Sequence, residues 1–448
     1  MDMPVSSHIP KEPYLSREFL QGEKQRLWPN VWLMACRESE VAANGRFVTF
    51  NIADESILIV RGVEDGVLRA FFNVCQHRGR RLVSVSSGSA TRFVCKFHGW
   101  RWNSNGSNEE IIDQADWGGT VCQEDVALKQ LAVGTWGGWV FVHMQPDEAE
   151  PLHEYLKPLV HAFRNYRFED FAPVWWKTVT LRCNWKVALD VFIEGYHAMT
   201  AHRQFNPVSG DNRWQCQVHG MHSMFHSRGI PVLGDPSLHA KALAGLPQNE
   251  ELFRRAKTRA ERIYLYFKLL HRDTGSLFTE RKVRAMERLA QQMPADTDYM
   301  ELLMAMDRMH REEGRKDGIE WDKFTLEDIG AAGLDWHIFP NVAFLPQEDG
   351  ALVYRARPNG DDPDTCIFDI YAMERFAPGK APEVEHEVYD SPEQSSWPLV
   401  FQQDFENLPE IQLGLKSRGF EFGRPNPIAE LTCVNFHHHV RRYVNGET

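Results

Sequence analysis

The sequence predicts an α+β protein: a short helical segment, a small all-β domain set early in the chain, and a larger domain mixing helix and strand. Three observations predict it. Short β-branched and aromatic runs separated by turn residues crowd the stretch from about 41 to 150. A charged, helix-like stretch fills 249–317. Strand-like runs return at 334–345, 351–357 and 365–374, ahead of a helical 398–416 that carries Pro409 inside it. There is no internal repeat and no low-complexity segment.

Taken in order, Phe19, Leu20, Leu27 and Trp28 give residues 1–40 an apolar helical pattern. Arg46 to Ile52, Ser56 to Arg61 and Val67 to Phe72 read as strands, and Asp65-Gly66 between the last two is a hairpin signal. Asn105-Gly106 marks another turn, and Gly134 to Phe141 reads as one buried strand. Trp175 to Arg182 alternates as a strand, Trp185 to His202 has helical spacing, and Val218 to Arg228 is a further strand.

The net charge of −12 argues against a nucleic-acid binder, because phosphate contact needs a surplus of Lys and Arg. Neither a secretory signal nor a run long enough to span a bilayer is present, so no membrane association and a cytoplasmic location are expected. Cys36, Cys122, Cys183, Cys216, Cys366 and Cys433 are scattered and read as buried thiols. No glycine-rich nucleotide loop is present, so any NAD(P)H enters only through a partner reductase.

Cys75 and Cys95 differ. Cys75-Gln76-His77-Arg78-Gly79 is followed, with seventeen residues between His77 and Cys95, by Cys95-Lys96-Phe97-His98-Gly99-Trp100. Two thiolates can hold one iron of a [2Fe–2S] cluster while two neutral imidazoles hold the other. A Cys2His2 zinc site uses the same ligand types. Zinc fingers, however, put the cysteines in one half and the histidines in the other, whereas each half here mixes both.

Residues 73–102 resemble the Rieske domain of aromatic-ring-hydroxylating oxygenases, with Lys96-Phe97 where Pro-Tyr is common. Downstream, Asn184-Trp185-Lys186 leads to Glu194-Gly195-Tyr196-His197, with His202 five residues on. Two histidines and a carboxylate form the facial triad of non-haem Fe(II) oxygenases. On a straight helix, residues five apart point roughly 140° away from each other, so these two converge only if the helix is distorted. The order and separation resemble the catalytic domain of the same family. In that resemblance His197, His202 and Asp404 ligate iron, with Glu406 the competing carboxylate, and Glu194 bridges His197 to the cluster of a neighbouring subunit. The family's frequent Glu-Asn pair earlier in this helix stands here as Asp190-Val191.

The resemblance implies the large subunit of a Rieske oxygenase. Residues 41–155 would be an all-β Rieske domain inserted into a helix-grip catalytic domain with an antiparallel sheet, formed by 1–40 and 156–448. It further implies a [2Fe–2S] cluster, a mononuclear Fe(II), a ferredoxin or flavin reductase donor, a homotrimer, and in some members a small beta subunit. Dioxygen and an apolar aromatic or polycyclic substrate are expected, near Val191, Met199, Phe205, His222 and Phe339. Arg78, Arg80, Arg81, Arg92, Lys96 and Arg101 crowd the cluster segment; they would steer an acidic donor or pair with a neighbouring subunit. His219, His222 and His226 are read as pocket lining or structure rather than as a third metal site, and strand alternation would split the rings of His437, His438 and His439 between two faces.

Overall fold

The structure, a computed structural model, describes residues 8–205, 214–227, 233–234, 247–321 and 324–447. It divides into two units, Gln21–Lys157 with Tyr443–Thr448, and Met1–Leu20 with Pro158–Arg442. The expected boundary at residue 40 therefore falls inside the smaller unit, which begins at Gln21.

In the smaller unit, the chain forms β1 (Leu33–Arg37), β2 (Arg46–Ile52), β3 (Glu55–Arg61), β4 (Leu68–Phe72), β5 (Ser87–Ser89), β9 (Gln130–Trp136) and β10 (Trp139–His143), of which β1 and β10 are buried along their whole length. They make one sheet in the order β1-β10-β9-β4-β3-β2-β5. Asp65 turns the chain between β3 and β4 by accepting from the Val67 amide at 3.0 Å, and Gly66 takes φ +66°. The expected single strand 134–141 is two strands. Gly137 and Gly138 both adopt positive φ and fold them into a tight hairpin. A second sheet holds β6 (Arg92–Val94), β7 (Arg101–Asn103) and β8 (Asn108–Glu110). Phe47, Leu58, Phe71, Phe93 and Trp102 fill the core between these strands. The Trp102 indole is wholly buried and donates to the Val126 carbonyl at 2.8 Å, so its polar end is satisfied.

In the larger unit, β11 (Phe171–Leu181), β12 (Trp214–His219), β13 (His222–Ser227), β14 (Asp335–Ile338), β15 (Val342–Pro346), β16 (Gly350–Asn359), β17 (Asp362–Arg375) and β18 (His386–Tyr389) form one sheet. Its order is β12-β13-β14-β15-β16-β17-β11-β18, antiparallel throughout except the last pair. α1 (Trp185–Phe192) starts where the Asn184 side chain accepts from the Lys186 amide at 3.1 Å, and it packs on β16 and β17. Its Phe192 lies against Tyr354 and Phe368 of those strands, with centroids 4.6 and 4.9 Å away. The stretch expected to be helical throughout is four helices, Pro247–Arg255, Arg259–Thr274, Glu280–Gln292 and Tyr299–Lys316. Polar caps at Thr258, Thr279 and Asp298 separate them. Under the sheet, Asp369 accepts from Arg355 and Arg357 at 2.8 and 3.0 Å and from Thr178 at 2.7 Å, so its buried charge is paired.

α2 (Leu399–Leu415) keeps Pro409 inside it and buries Phe401, Asp404, Phe405 and Leu408. Each buried apolar side chain stabilises its docking by about 1.5–3 kcal/mol. α3 (Leu431–Asn445) contains His437, His438 and His439, so helical spacing rather than strand alternation distributes their rings. Cys122 also departs from expectation: it is exposed, with its thiol against Asp125. Among the described residues no helix is long and apolar enough to cross a membrane.

Candidate metal centres

The two Cys-His motifs fold alike. In each, the cysteine N–H donates to the carbonyl five residues on, Arg80 at 2.8 Å and Trp100 at 2.9 Å. In each, the glycine four residues on donates back, Gly79 to Cys75 at 3.0 Å and Gly99 to Cys95 at 2.9 Å. Both glycines need positive φ, +73° and +74°, which is why both motifs end in Gly. The second loop tips the β6–β7 hairpin. The first is closed by a bridge between Val74 and Arg81.

These turns bring four groups together. Cys75 and Cys95 are buried, and the His77 and His98 rings lie 4.7 Å apart. Trp100 stacks on His77 at 4.7 Å, and Phe97 covers His98 at 3.9 Å. The Nδ1 atoms of both histidines are buried with no partner among the described residues, an arrangement that is costly unless something else binds them. Burial pushes the Cys75 thiol up, and neighbouring Cys95 adds to the shift, so thiolates here need a positive partner. The donor set of two sulfurs and two imidazole nitrogens fits a [2Fe–2S] centre.

The second site arises because the helix does not continue to His202. α1 ends at Phe192, and after an irregular turn a single helical turn, Ala198–Ala201, separates the two histidines. That break supplies the distortion the five-residue spacing requires. Glu194 organises the turn. One of its oxygens accepts from His197 Nδ1 at 2.6 Å, while the other accepts from the backbone amides of Tyr196 and His197. His202 Nδ1 donates to the Gln403 carbonyl at 2.8 Å. Gln403 and Gln204 are joined by reciprocal amide hydrogen bonds of 3.0 and 3.1 Å.

With both Nδ1 protons committed, each Nε2 presents a lone pair. These face Asp404 Oδ1 at 3.8 Å from His197 and 3.3 Å from His202. His197, His202 and Asp404 can place one ligand atom each within 4.8 Å of one another. Asp404 is buried, and its Oδ1 has no hydrogen-bond partner among the described residues. Three acceptors turned toward one point repel unless a cation lies between them, so the set fits a divalent ion with oxygen and nitrogen ligands. Burial pulls the His197 pKa down, and the hydrogen bond and charge of Glu194, with Asp404 and Glu430, raise it above its ordinary value. Glu406, the competing carboxylate, is exposed and is not in the cluster.

Two family models match the chain. The family described as "Rieske [2Fe-2S] domain" matches residues 31–123, and "Ring hydroxylating alpha subunit (catalytic domain)" matches residues 168–446. The chain belongs to the ring-hydroxylating oxygenase alpha-subunit family. The family carries both centres, the Rieske [2Fe–2S] cluster and a mononuclear iron. The carnitine monooxygenase oxygenase subunit of Acinetobacter pittii is 30% identical over 226 residues, 47% of this chain and 57% of that protein. The glycine betaine monooxygenase oxygenase subunit of Pseudomonas aeruginosa is 28% identical over 197 residues, 44% of this chain and 45% of that one. The large oxygenase component of the naphthalene 1,2-dioxygenase system of Pseudomonas putida is 32% identical over 192 residues, covering 41% and 42%. The matched stretches thus span about half the length of these relatives. In fold, the chain is similar to a quaternary ammonium Rieske monooxygenase bound to L-carnitine, with TM-score 0.62, 20% identity and coverage of 97% and 95%. It is equally similar to naphthalene 1,2-dioxygenase with indole bound, with TM-score 0.62, 19% identity and coverage of 99% and 93%.

The remaining expected site residues of this family member are dispersed. Val191 lines a cavity of about 290 Å³ with Tyr14, Asp190, Glu194 and Glu430. His222 and Phe339 meet each other, the Phe339 amide donating to His222 Nδ1 at 3.1 Å. Phe205 lies against Tyr266 at 6.1 Å, and Met199 sits in the one-turn helix between the two histidines. His219 stacks on Trp336 and His226 bonds Gln217, so the three histidines of that region serve different neighbours. Of the basic residues, Arg92 and Arg101 pair within the chain, with Glu109 at 2.9 Å and Glu110 at 2.8 Å. Sequence reasoning missed Gln403 and Gln204, although Gln403 directly precedes Asp404. It also missed Tyr14, whose hydroxyl donates to Asp190 at 2.7 Å beside His437; no sequence signal links residues so far apart.

Proposed function

We propose that this chain is the terminal oxygenase component of a multicomponent system, using dioxygen and electrons from a separate ferredoxin or flavin reductase to oxygenate a small organic substrate. The observation that carries the reading is the cluster of His197, His202 and Asp404 in a chain that also carries the Rieske loops. In this reading Cys75, His77, Cys95 and His98 hold the [2Fe–2S] cluster, and the triad holds Fe(II). When bound, these groups supply one stored electron and an iron with open positions for dioxygen. The smaller unit is then the Rieske domain and the larger one the catalytic domain.

The chain's own residues prepare that chemistry. Glu194 turns the His197 ring and keeps its proton on Nδ1, away from the metal side. Asp404 contributes one negative charge from a buried position, where it acts strongly on a cation. A homotrimer, in which Glu194 faces a neighbouring subunit's cluster, follows from the family resemblance and belongs to this proposal. So does any beta subunit.

For the substrate, an apolar aromatic compound is the first reading, supported by likeness to the naphthalene 1,2-dioxygenase large component and by the aromatic contact of Phe205 with Tyr266. A quaternary ammonium compound is the second, favoured by likeness to the carnitine and glycine betaine oxygenase subunits. The test begins with iron, zinc and acid-labile sulfide assays and an absorption spectrum of the purified protein. Labile sulfide and about three irons per chain are expected; zinc without sulfide overturns the reading. Turnover of naphthalene, L-carnitine and glycine betaine with a supplied reductase then separates the substrates. His197→Ala should keep the cluster spectrum and lose oxygenation, and retained turnover refutes the iron assignment.

A further inference from the structure

The two candidate histidine ligands are held from behind by chemically different groups. His197 Nδ1 faces the Glu194 carboxylate at 2.6 Å, whereas His202 Nδ1 faces the neutral Gln403 amide at 2.8 Å. We propose that Gln403 and Gln204 act as a positioning pair that keeps the His202 proton on Nδ1 and its Nε2 open to the metal. The inference rests on the iron site proposed above and deepens it.

An amide can present either end to a ring nitrogen. If Gln403 turned its NH2 group toward His202, the ring would have to accept at Nδ1 and carry its proton on Nε2. Nε2 is the atom 3.3 Å from Asp404 Oδ1, so a proton there would occupy the metal's side of the ring. What opposes a turn of Gln403 alone is Gln204. Its NH2 donates to Gln403 Oε1 at 3.0 Å, and its own carbonyl accepts from Gln403 Nε2 at 3.1 Å. Rotating one amide alone would set NH2 against NH2 and oxygen against oxygen. Gln204 is completely buried, so water cannot take over a lost partner cheaply.

Gln403 and Asp404 are adjacent on α2, and together they hold His202 from both edges, Gln403 at Nδ1 and Asp404 toward Nε2. One helix therefore supplies both a ligand and the group that sets a second ligand's tautomer. A glutamate at 403 would accept the same proton, but it would add a second carboxylate behind the ligands. The glutamine performs the orientation without that charge.

The test uses the full chain with its Rieske cluster oxidised and its mononuclear iron removed by chelation. Co(II) is titrated in, with affinity read by calorimetry and the metal environment by electron paramagnetic resonance. Gln403→Leu should weaken Co(II) binding about 10–100-fold and change the resonance. Gln403→Glu should restore the affinity, because its carboxylate accepts from Nδ1. Gln204→Leu, which leaves Gln403 free to rotate, should fall between them, and it carries the test if Gln403→Leu does not fold. Parent affinity and an unchanged resonance in the leucine variants, with thermal stability alone reduced, would overturn the proposal. Equal loss in Gln403→Leu and Gln403→Glu would overturn it too. His197→Ala is the control: if it also binds Co(II) as the parent does, the iron site is at fault and the pair falls with it.

Discussion

Replacing Glu194 by glutamine removes a charge and leaves the shape. The carboxylate accepts three N–H groups, His197 Nδ1 and the amides of Tyr196 and His197, using both oxygens. A glutamine offers one oxygen and one NH2, so one set of donors must face a donor. If the oxygen keeps the backbone amides, His197 must accept at Nδ1 and carry its proton on Nε2, the atom facing Asp404. If it keeps the ring, the Tyr196 and His197 amides lose their acceptor, at up to about 1–3 kcal/mol each. Either way, loss of this partner should weaken the metal about 10–100-fold, which is about 1.4–2.8 kcal/mol. Iron content of the purified variant, measured against labile sulfide, reads this directly. The sulfide should stay at the parent level while the third iron is depleted and turnover falls in step. Full iron content with parent turnover would refute the reasoning, because neither arrangement of the amide leaves the ligand as it was.

Two further outcomes concern stability. Asp369→Ala takes away the carboxylate between Arg355 and Arg357 in the core and should cost about 3–5 kcal/mol in urea unfolding; a shift below 1 kcal/mol at unchanged m would contradict the pairing. His337 is buried and its pKa is held at about 3, chiefly by desolvation. A lowered folded-state value means its contribution is complete above the unfolded value of about 6.5 and is lost as pH falls toward 3. Between pH 6 and 4 the parent should therefore lose about 1.4 kcal/mol per pH unit more than His337→Asn, and parallel slopes would remove His337 from the account.

Much of this was legible in the sequence because short-range rules govern it. Asp65-Gly66 and Asn105-Gly106 name their own turns, and the two Cys-His loops each end in a glycine that the turn demands. The ligand motifs are local on the cysteine side and nearly so for His197 and His202. What escaped was set by tertiary contact. Trp185 to His202 has the spacing of one helix, yet Glu194 captures the backbone amides of Tyr196 and His197 and ends it early. Gly134 to Phe141 reads as one strand until both central glycines are seen at positive φ. Gln403 finds Gln204 and His202 about 200 residues away, and no periodicity announces such a pair.

The interruption after Phe192 also bears on how this region moves. Helix amides are protected by a continuous ladder, but residues 193–205 have only short turns, so their opening is limited by a few side-chain contacts. A cation held by His197, His202 and Asp404 would fasten this segment to α2, and the fastening strengthens with metal concentration. Amide hydrogen exchange across 193–205 should therefore be fast in the iron-depleted chain and slow in the loaded one, while β16 and β17 behind it exchange alike in both.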